Sequence, residues 1–243
     1  MTKVDVAGQS RLSPHVRGHL LLFEGRAAPE YPPGVGNRLL FTALLLEVAR
    51  LAAMRWLLPT IPLSLFSLLV LGMALLSIRF VAGLRLSQVG LLPWREWSQT
   101  EKSYFLQILV IANVVFATVF AAPLRERMAQ HSVWWMLSGT FVPYLFFGFY
   151  QEVVYRGMVQ TELVRRRGTL AGILIANVLY TFGPLHWEYF TSRASLAVPM
   201  FAAIFGIGLF FGVLYKRSGN LWIVATFHAI GNAYIVTGMG TLR

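Results

Sequence analysis

The sequence predicts an all-α fold, a polytopic membrane helical bundle of about seven transmembrane helices, and three observations lead there. Of the 243 residues, 56% are hydrophobic and only 13% are charged, outside the range of ordinary soluble domains. Several apolar runs reach the roughly 20 residues needed to cross a hydrocarbon core and lack the alternation of barrel strands. Lys and Arg gather at the ends of those runs, so the formal charge of +11 reads as membrane topology and not as a nucleic-acid surface. There is no cysteine, which removes disulfides, thiol nucleophiles and Cys-based zinc sites.

Residues 1–37 form a polar N-terminal tail in this reading, and 38–243 the transmembrane domain. The tail carries Pro29, Pro32 and Pro33 and lacks the short apolar core and small-residue cleavage site of a secretory signal. The first span runs from about Leu39 to Leu57 and the second from Ile61 to Leu84, joined by a Pro59/Pro62 turn that permits only an antiparallel hairpin. Glu47 and Arg50, at i and i+3 on the first span, neutralise one another. The stretch from Leu86 to Trp97 is amphipathic, and its paired tryptophans suit a membrane interface. A third span covers Ser103 to Ala122, followed by the short basic link Leu124 to Arg127. The fourth helix runs from Val133 to Val164, longer than one crossing requires, with a kink expected at Pro143. Spans from Thr169 to Leu185, Leu196 to Tyr215 and Leu221 to Gly238 complete the set, and Gly208 and Gly212 carry the spacing of a close helix contact.

Sorting the basic residues among the loops gives thirteen on one side (Lys3, Arg11, Arg17, Arg26, Arg38, Arg85, Arg95, Lys102, Arg165, Arg166, Arg167, Lys216, Arg217) and four on the other (Arg125, Arg127, Arg193, Arg243). The positive-inside rule then puts the N-terminus in the cytoplasm and the C-terminus outside. No internal repeat is visible, which weighs against an inverted-repeat transporter.

Ionisable groups at bilayer depth are costly and mark candidate functional sites. Of the acids only Glu47, Glu152 and, at a helix end, Glu188 fall in or beside spans, and of the histidines only His186 and His228. Glu152 and Arg156, at i and i+4, share a helix face and read either as part of a site or as a structural ion pair. No lysine lies within a span, and neither Gly-x-Ser-x-Gly nor His-Glu-x-x-His occurs, which excludes the Ser/Lys dyad and the common hydrolase and zinc-protease motifs. One carboxylate, two imidazoles, Asn232 and Arg156 on three helices remain.

These residues resemble the CPBP family, the CAAX proteases and bacteriocin-processing enzymes, which are multi-spanning intramembrane glutamic peptidases with the motifs Glu-Glu-x-x-x-Arg, Phe-x-x-x-His and His-x-x-x-Asn. Here they stand, in order, as Gln151-Glu152-Val153-Val154-Tyr155-Arg156, Phe182-Gly183-Pro184-Leu185-His186 and His228-Ala229-Ile230-Gly231-Asn232. The resemblance covers about 139–233. It implies an intramembrane endopeptidase with Glu152, His186, His228 and Asn232 as catalytic residues, supported by Gln151, Arg156 and Phe182. One position departs: Gln151 replaces the first motif glutamate, the family's assigned water-activating base, and a glutamine cannot accept a proton at neutral pH. Three accounts stand: Glu152 has become the base, the chain is a catalytically inactive scaffold or immunity protein, or the glutamine is an introduced change.

In the active account Glu152 and His186 deprotonate a water, while His228 and Asn232 donate to the oxyanion. Two histidines and a glutamate also make a zinc ligand set, disfavoured because they lie on separate helices and leave Asn232 without a place. No cofactor is expected otherwise. By resemblance, the partners are a membrane-anchored protein or peptide substrate, cut in a C-terminal or membrane-proximal segment, and the lipid bilayer. Nucleic acid is not a partner, and the expected location is a bacterial inner membrane.

Overall fold

The structure, a computed structural model, describes residues 34–184, 186, 190–191, 195 and 197–239. Most of the N-terminal tail, together with Trp187, Glu188, Arg193 and Arg243, lies outside the described residues. Throughout the described residues the chain is an all-α bundle: α1 (Val35–Trp56), α2 (Leu63–Phe80), α3 (Gln99–Val119), α4 (Ala121–Gln130), α5 (Val133–Met136), α6 (Val142–Glu152), α7 (Thr161–Arg167), α8 (Thr169–Thr181), α9 (Ala197–Ser218) and α10 (Leu221–Met239). Its surface is apolar, with large side chains such as Phe41, Val110, Val114, Leu170 and Val198 exposed, as expected where hydrocarbon replaces water as the solvent.

Among the described residues, four helices are long and apolar enough to cross a membrane: Leu63–Phe80, Gln99–Val119, Ala197–Ser218 and Leu221–Gly238. That is fewer than the seven spans expected, and the shortfall has physical causes. Helix α1 has the length but carries Arg38, Glu47, Arg50 and Arg55. The expected fourth span is divided by two π-helical segments, Leu137–Phe141 and Val153–Gln160. Pro143 sits in the first turn of α6, just past the first of them, where its missing N–H costs little; the irregularity lies in the widened turn before it. Helix α8 stops at Thr181, short of the expected Leu185. The basic link from Leu124 to Arg127 is helical, within α4.

One end of the bundle collects much of the basic sequence. The stretch from Leu86 to Glu96 forms two short 3-10 turns, Leu86–Val89 and Trp94–Glu96. It packs under the junction of α9 and α10: Leu221 N donates to Gly90 O (2.8 Å), Tyr215 Oη to Val89 O (3.1 Å) and Trp222 Nε1 to Leu92 O (3.1 Å). Asn220 Nδ2 donates to Glu101 Oε1 at 3.3 Å, at the capped start of α3. Nearby, Glu162 takes ion pairs from Arg165 and Arg166, and Arg166 Nη2 reaches Asn37 Oδ1 at 2.6 Å. Arg165 and Arg166, two of the basic residues expected on one face of the membrane, are thus paired at this end of the bundle.

The core lies between α6 and α10, which pack against each other more extensively than any other pair. Gly148 makes that approach possible, since a Cβ there would lie 2.7 Å from Ala229 Cα and 3.3 Å from Asn232 Nδ2. Both obstacles belong to the functional neighbourhood, and the first is backbone. Gly148→Ala is expected to force the two helices apart and destabilise the fold by about 1–3 kcal/mol, read as a lowered thermal unfolding midpoint in detergent; an unchanged midpoint would contradict the packing.

Candidate active site

Gln151 and Glu152 close the last turn of α6, directly before the π-helical segment Val153–Gln160. Both side chains are buried, Glu152 completely. A π-helical turn bonds i to i+5 and is often found at functional sites. Here the Arg156 carbonyl accepts both the Thr161 backbone N–H and, at 3.0 Å, Thr161 Oγ1. The expected Glu152–Arg156 pair is present, with Arg156 Nε 3.6 Å from Glu152 Oε2, a charge contact without a hydrogen bond. Arg156 is anchored elsewhere as well: Nη2 donates to the Gly208 carbonyl at 2.9 Å, and the guanidinium lies 4.6 Å from the Tyr180 ring centroid. Gly208 is required for that contact, because a Cβ would come within 2.1 Å of Asn177 Oδ1.

The polar residues singled out from three separate motifs meet here. His228, on α10, has Nδ1 2.7 Å from Glu152 Oε1. His186, beyond the end of α8, has Nδ1 2.8 Å from the carbonyl of Tyr180. The Tyr180 carbonyl can only accept, so His186 Nδ1 carries the hydrogen, and with Glu152 ionised the same holds for His228 Nδ1; in the neutral rings both Nε2 atoms then present lone pairs. Each Nε2 faces a donor at longer range: Gln151 Nε2 at 3.4 Å from His186, and Tyr180 Oη at 3.5 Å from His228. Asn232 Nδ2 donates to Gln151 Oε1 at 3.1 Å. At both histidines the Nδ1 contact is the shorter one, 2.8 and 2.7 Å against 3.4 and 3.5 Å at Nε2.

Two expectations are corrected by this arrangement. Glu152 pairs with His228, not with His186, because consecutive residues on the helix point in different directions and Gln151 is the one turned toward His186. Phe182 does not reach the polar cluster. It is half exposed and packs against Phe190 and Phe201. Among the described residues no group of three or more His, Asp or Glu side chains is arranged to hold a metal ion.

Sequence reading missed Tyr180, which touches both histidines. Its ring meets His186 edge-on at 4.7 Å and His228 at 5.9 Å. A signal existed: Asn177, Tyr180 and Thr181, at i, i+3 and i+4, form a buried polar stripe in an otherwise apolar helix. The Glu47–Arg50 pair is present at 2.8 Å, but it also reaches the site helix, since Tyr150 Oη donates to Glu47 Oε1 at 2.8 Å.

A membrane helical bundle holding a buried amide, carboxylate and two imidazoles is the class of protein that this fold and site define. Residues 131–234 match the family model described as type II CAAX prenyl endopeptidase Rce1-like, a stretch that contains all three motifs. Over this stretch, a little under half of its length, the chain carries a CAAX protease/CPBP (Rce1-like) domain match. No curated protein and no solved structure matches the chain.

Removing one member of a buried ion pair strands the other, at a cost of about 3–5 kcal/mol. Arg156→Leu is therefore expected to destabilise the protein far more than Arg156→Leu combined with Glu152→Leu. Unfolding of the two variants in the same detergent checks this; equal losses would show that the charge contact carries little weight.

Proposed function

We propose that the chain is an intramembrane endopeptidase that cleaves C-terminal or membrane-proximal segments of membrane-anchored proteins, using a water held between Gln151 and His186. The observation that carries this reading is the slack at the histidine Nε2 atoms, 3.4 and 3.5 Å from their donors, against 2.8 and 2.7 Å at Nδ1. A water or substrate group can enter on the loose side without disturbing the tight one. The Gln151 amide orients the water, and His186 Nε2 takes its proton while the Tyr180 carbonyl holds the opposite ring nitrogen. The hydroxide oxygen bonds to the peptide carbon and the carbonyl π pair moves onto oxygen. Asn232 and the His228 end of the site supply hydrogen bonds to that oxyanion. When the C–N bond breaks, the amine leaves with the proton held on His186. Glu152 stays ionised and orients His228, and its support from Arg156 fits that role better than service as the base. The mechanism uses no metal.

Seven crossings, with a cytoplasmic N-terminus and a polar tail over 1–37, complete the reading. Helix α1, the composite α5 to α7 and the short α8 make the three crossings beyond the four apolar helices. The absence of native cysteine makes this directly testable. In sealed cells, an impermeant thiol reagent should label Ser132→Cys and leave Arg167→Cys unlabelled until the membrane is opened; the reverse pattern would invert the topology.

A second reading, a non-catalytic binding protein or immunity factor of the same family, is favoured by one observation: both ends of the Gln151 amide are engaged, by Asn232 and toward His186. Cleavage of co-expressed membrane-anchored precursors separates the two. The protease reading expects slow cleavage by the chain as given and none by His186→Ala. Gln151→Glu should be at least about tenfold faster, since a positioned general base contributes roughly 10²–10⁴, and chelators should have no effect. Cleavage that survives His186→Ala would overturn the mechanism, and inactivity of both the given chain and Gln151→Glu would favour the binding protein.

A further inference from the structure

Helix α8 places one residue against both histidines and the arginine of the site. Tyr180 accepts from His186 through its carbonyl, reaches His228 Nε2 through its hydroxyl, and carries the Arg156 guanidinium on its ring face. Its side chain is almost fully buried, and Tyr155 packs edge-on against the same ring at 5.6 Å. Phe211 stacks on the His228 imidazole at 5.1 Å, and the Tyr180 ring meets that imidazole edge-on at 5.9 Å.

The proton positions follow from the partners. With Glu152 ionised, its Oε1 can only accept, so His228 carries its hydrogen on Nδ1 and, while neutral, offers a lone pair at Nε2. An imidazole in that tautomer cannot donate a hydrogen bond from Nε2. The group at that nitrogen that can donate is the Tyr180 hydroxyl.

We propose that Tyr180 is the hydrogen-bond donor at the His228 end of the site. At rest its hydroxyl donates to His228 Nε2 and fixes that tautomer; during reaction the same O–H turns to the oxyanion beside Asn232. His228 and Glu152 then act through Tyr180. The inference rests on the protease reading for its second half, while its first half, the resting Tyr180–His228 bond, stands without it.

Two measurements test it, on the full chain in a lipid nanodisc. The first is the ¹⁵N spectrum of histidine-labelled protein. It should show a non-protonated acceptor Nε2 on His228 that changes in Tyr180→Phe, with His186 unchanged because its bond is to backbone. A protonated Nε2 on neutral His228, or a spectrum indifferent to Tyr180→Phe, overturns the proposal. The second is kinetic, in whichever of the given chain and Gln151→Glu cleaves. Tyr180→Phe keeps the ring, so the unfolding midpoint should hold while kcat falls about 10²–10³-fold, the usual cost of one oxyanion donor, with KM within about twofold. A kcat within about threefold of the parent overturns the oxyanion role. If neither parent form cleaves, the protease reading fails and the oxyanion role with it; the nitrogen spectrum then decides the resting bond alone.

Discussion

A carboxylate with no access to water is the constraint around which this bundle is built. Desolvating Glu152 costs several kcal/mol unless partners replace the lost hydration, and no single helix supplies enough of them. The partners come from the same helix four residues on and from α10, through Arg156 and His228. Arg156 in turn is held by α9 through the Gly208 carbonyl and by α8 through the Tyr180 ring. Four chain segments are thus tied to one charge. The glycines at 148 and 208 follow from the same requirement, since each lies where a side chain would keep the helices too far apart for these contacts to close.

The hydrogen bonds around that charge run in one direction. Asn232 donates to Gln151, Gln151 faces the His186 lone pair as a donor, and His186 donates to the Tyr180 carbonyl; separately, Tyr180 faces His228 as a donor, and His228 donates to Glu152. A glutamine at 151 satisfies this order because its amide both accepts and donates. An ionised glutamate in its place would set carboxylate oxygen against a bare imidazole nitrogen, two acceptors facing each other. The remedy is a shared proton or an intervening water, and a carboxylate and imidazole bridged by water is itself a water-activating arrangement. The glutamine gives a quiet resting network at the expense of a strong base. The residue that distinguishes the two accounts of function is therefore also the one that determines whether the network is complete without solvent.

The helical character of the chain and the polar groups lying within its apolar runs were legible in the sequence because both depend on local signals, apolar run length and the rarity of polar groups within it. Gln151, Glu152, Arg156, His186, His228 and Asn232 were all singled out and all meet. What the sequence did not give was which of them touch. Pairing Glu152 with His186 required knowing the rotation of one helix, and the π-helical segment that begins at Val153 is set by tertiary contacts no periodicity records. Phe182 shows the limit of motif reasoning, because a residue can share a motif with His186 and still face outward. Tyr180 stayed hidden for the opposite reason. An aromatic residue in an apolar helix is indistinguishable from core until its hydroxyl's neighbour is known.

The short α8 resolves a difficulty that the sequence poses about depth. Counted from the basic Arg165–Arg167 end, a full-length span would carry His186 to the opposite face, far from His228, which lies only about 11 Å into α10 at 1.5 Å per residue from the end that packs on Gly90. With 13 residues, α8 is about 20 Å long, against a hydrocarbon thickness of about 30 Å. It is too short to cross that thickness alone, and the turn through Phe182 and Gly183 brings His186 back beside Tyr180. Backbone that leaves a helix at bilayer depth must be buried in protein or line a wet cavity, and His186 is buried. The break after Thr181 is therefore what places His186 in the site.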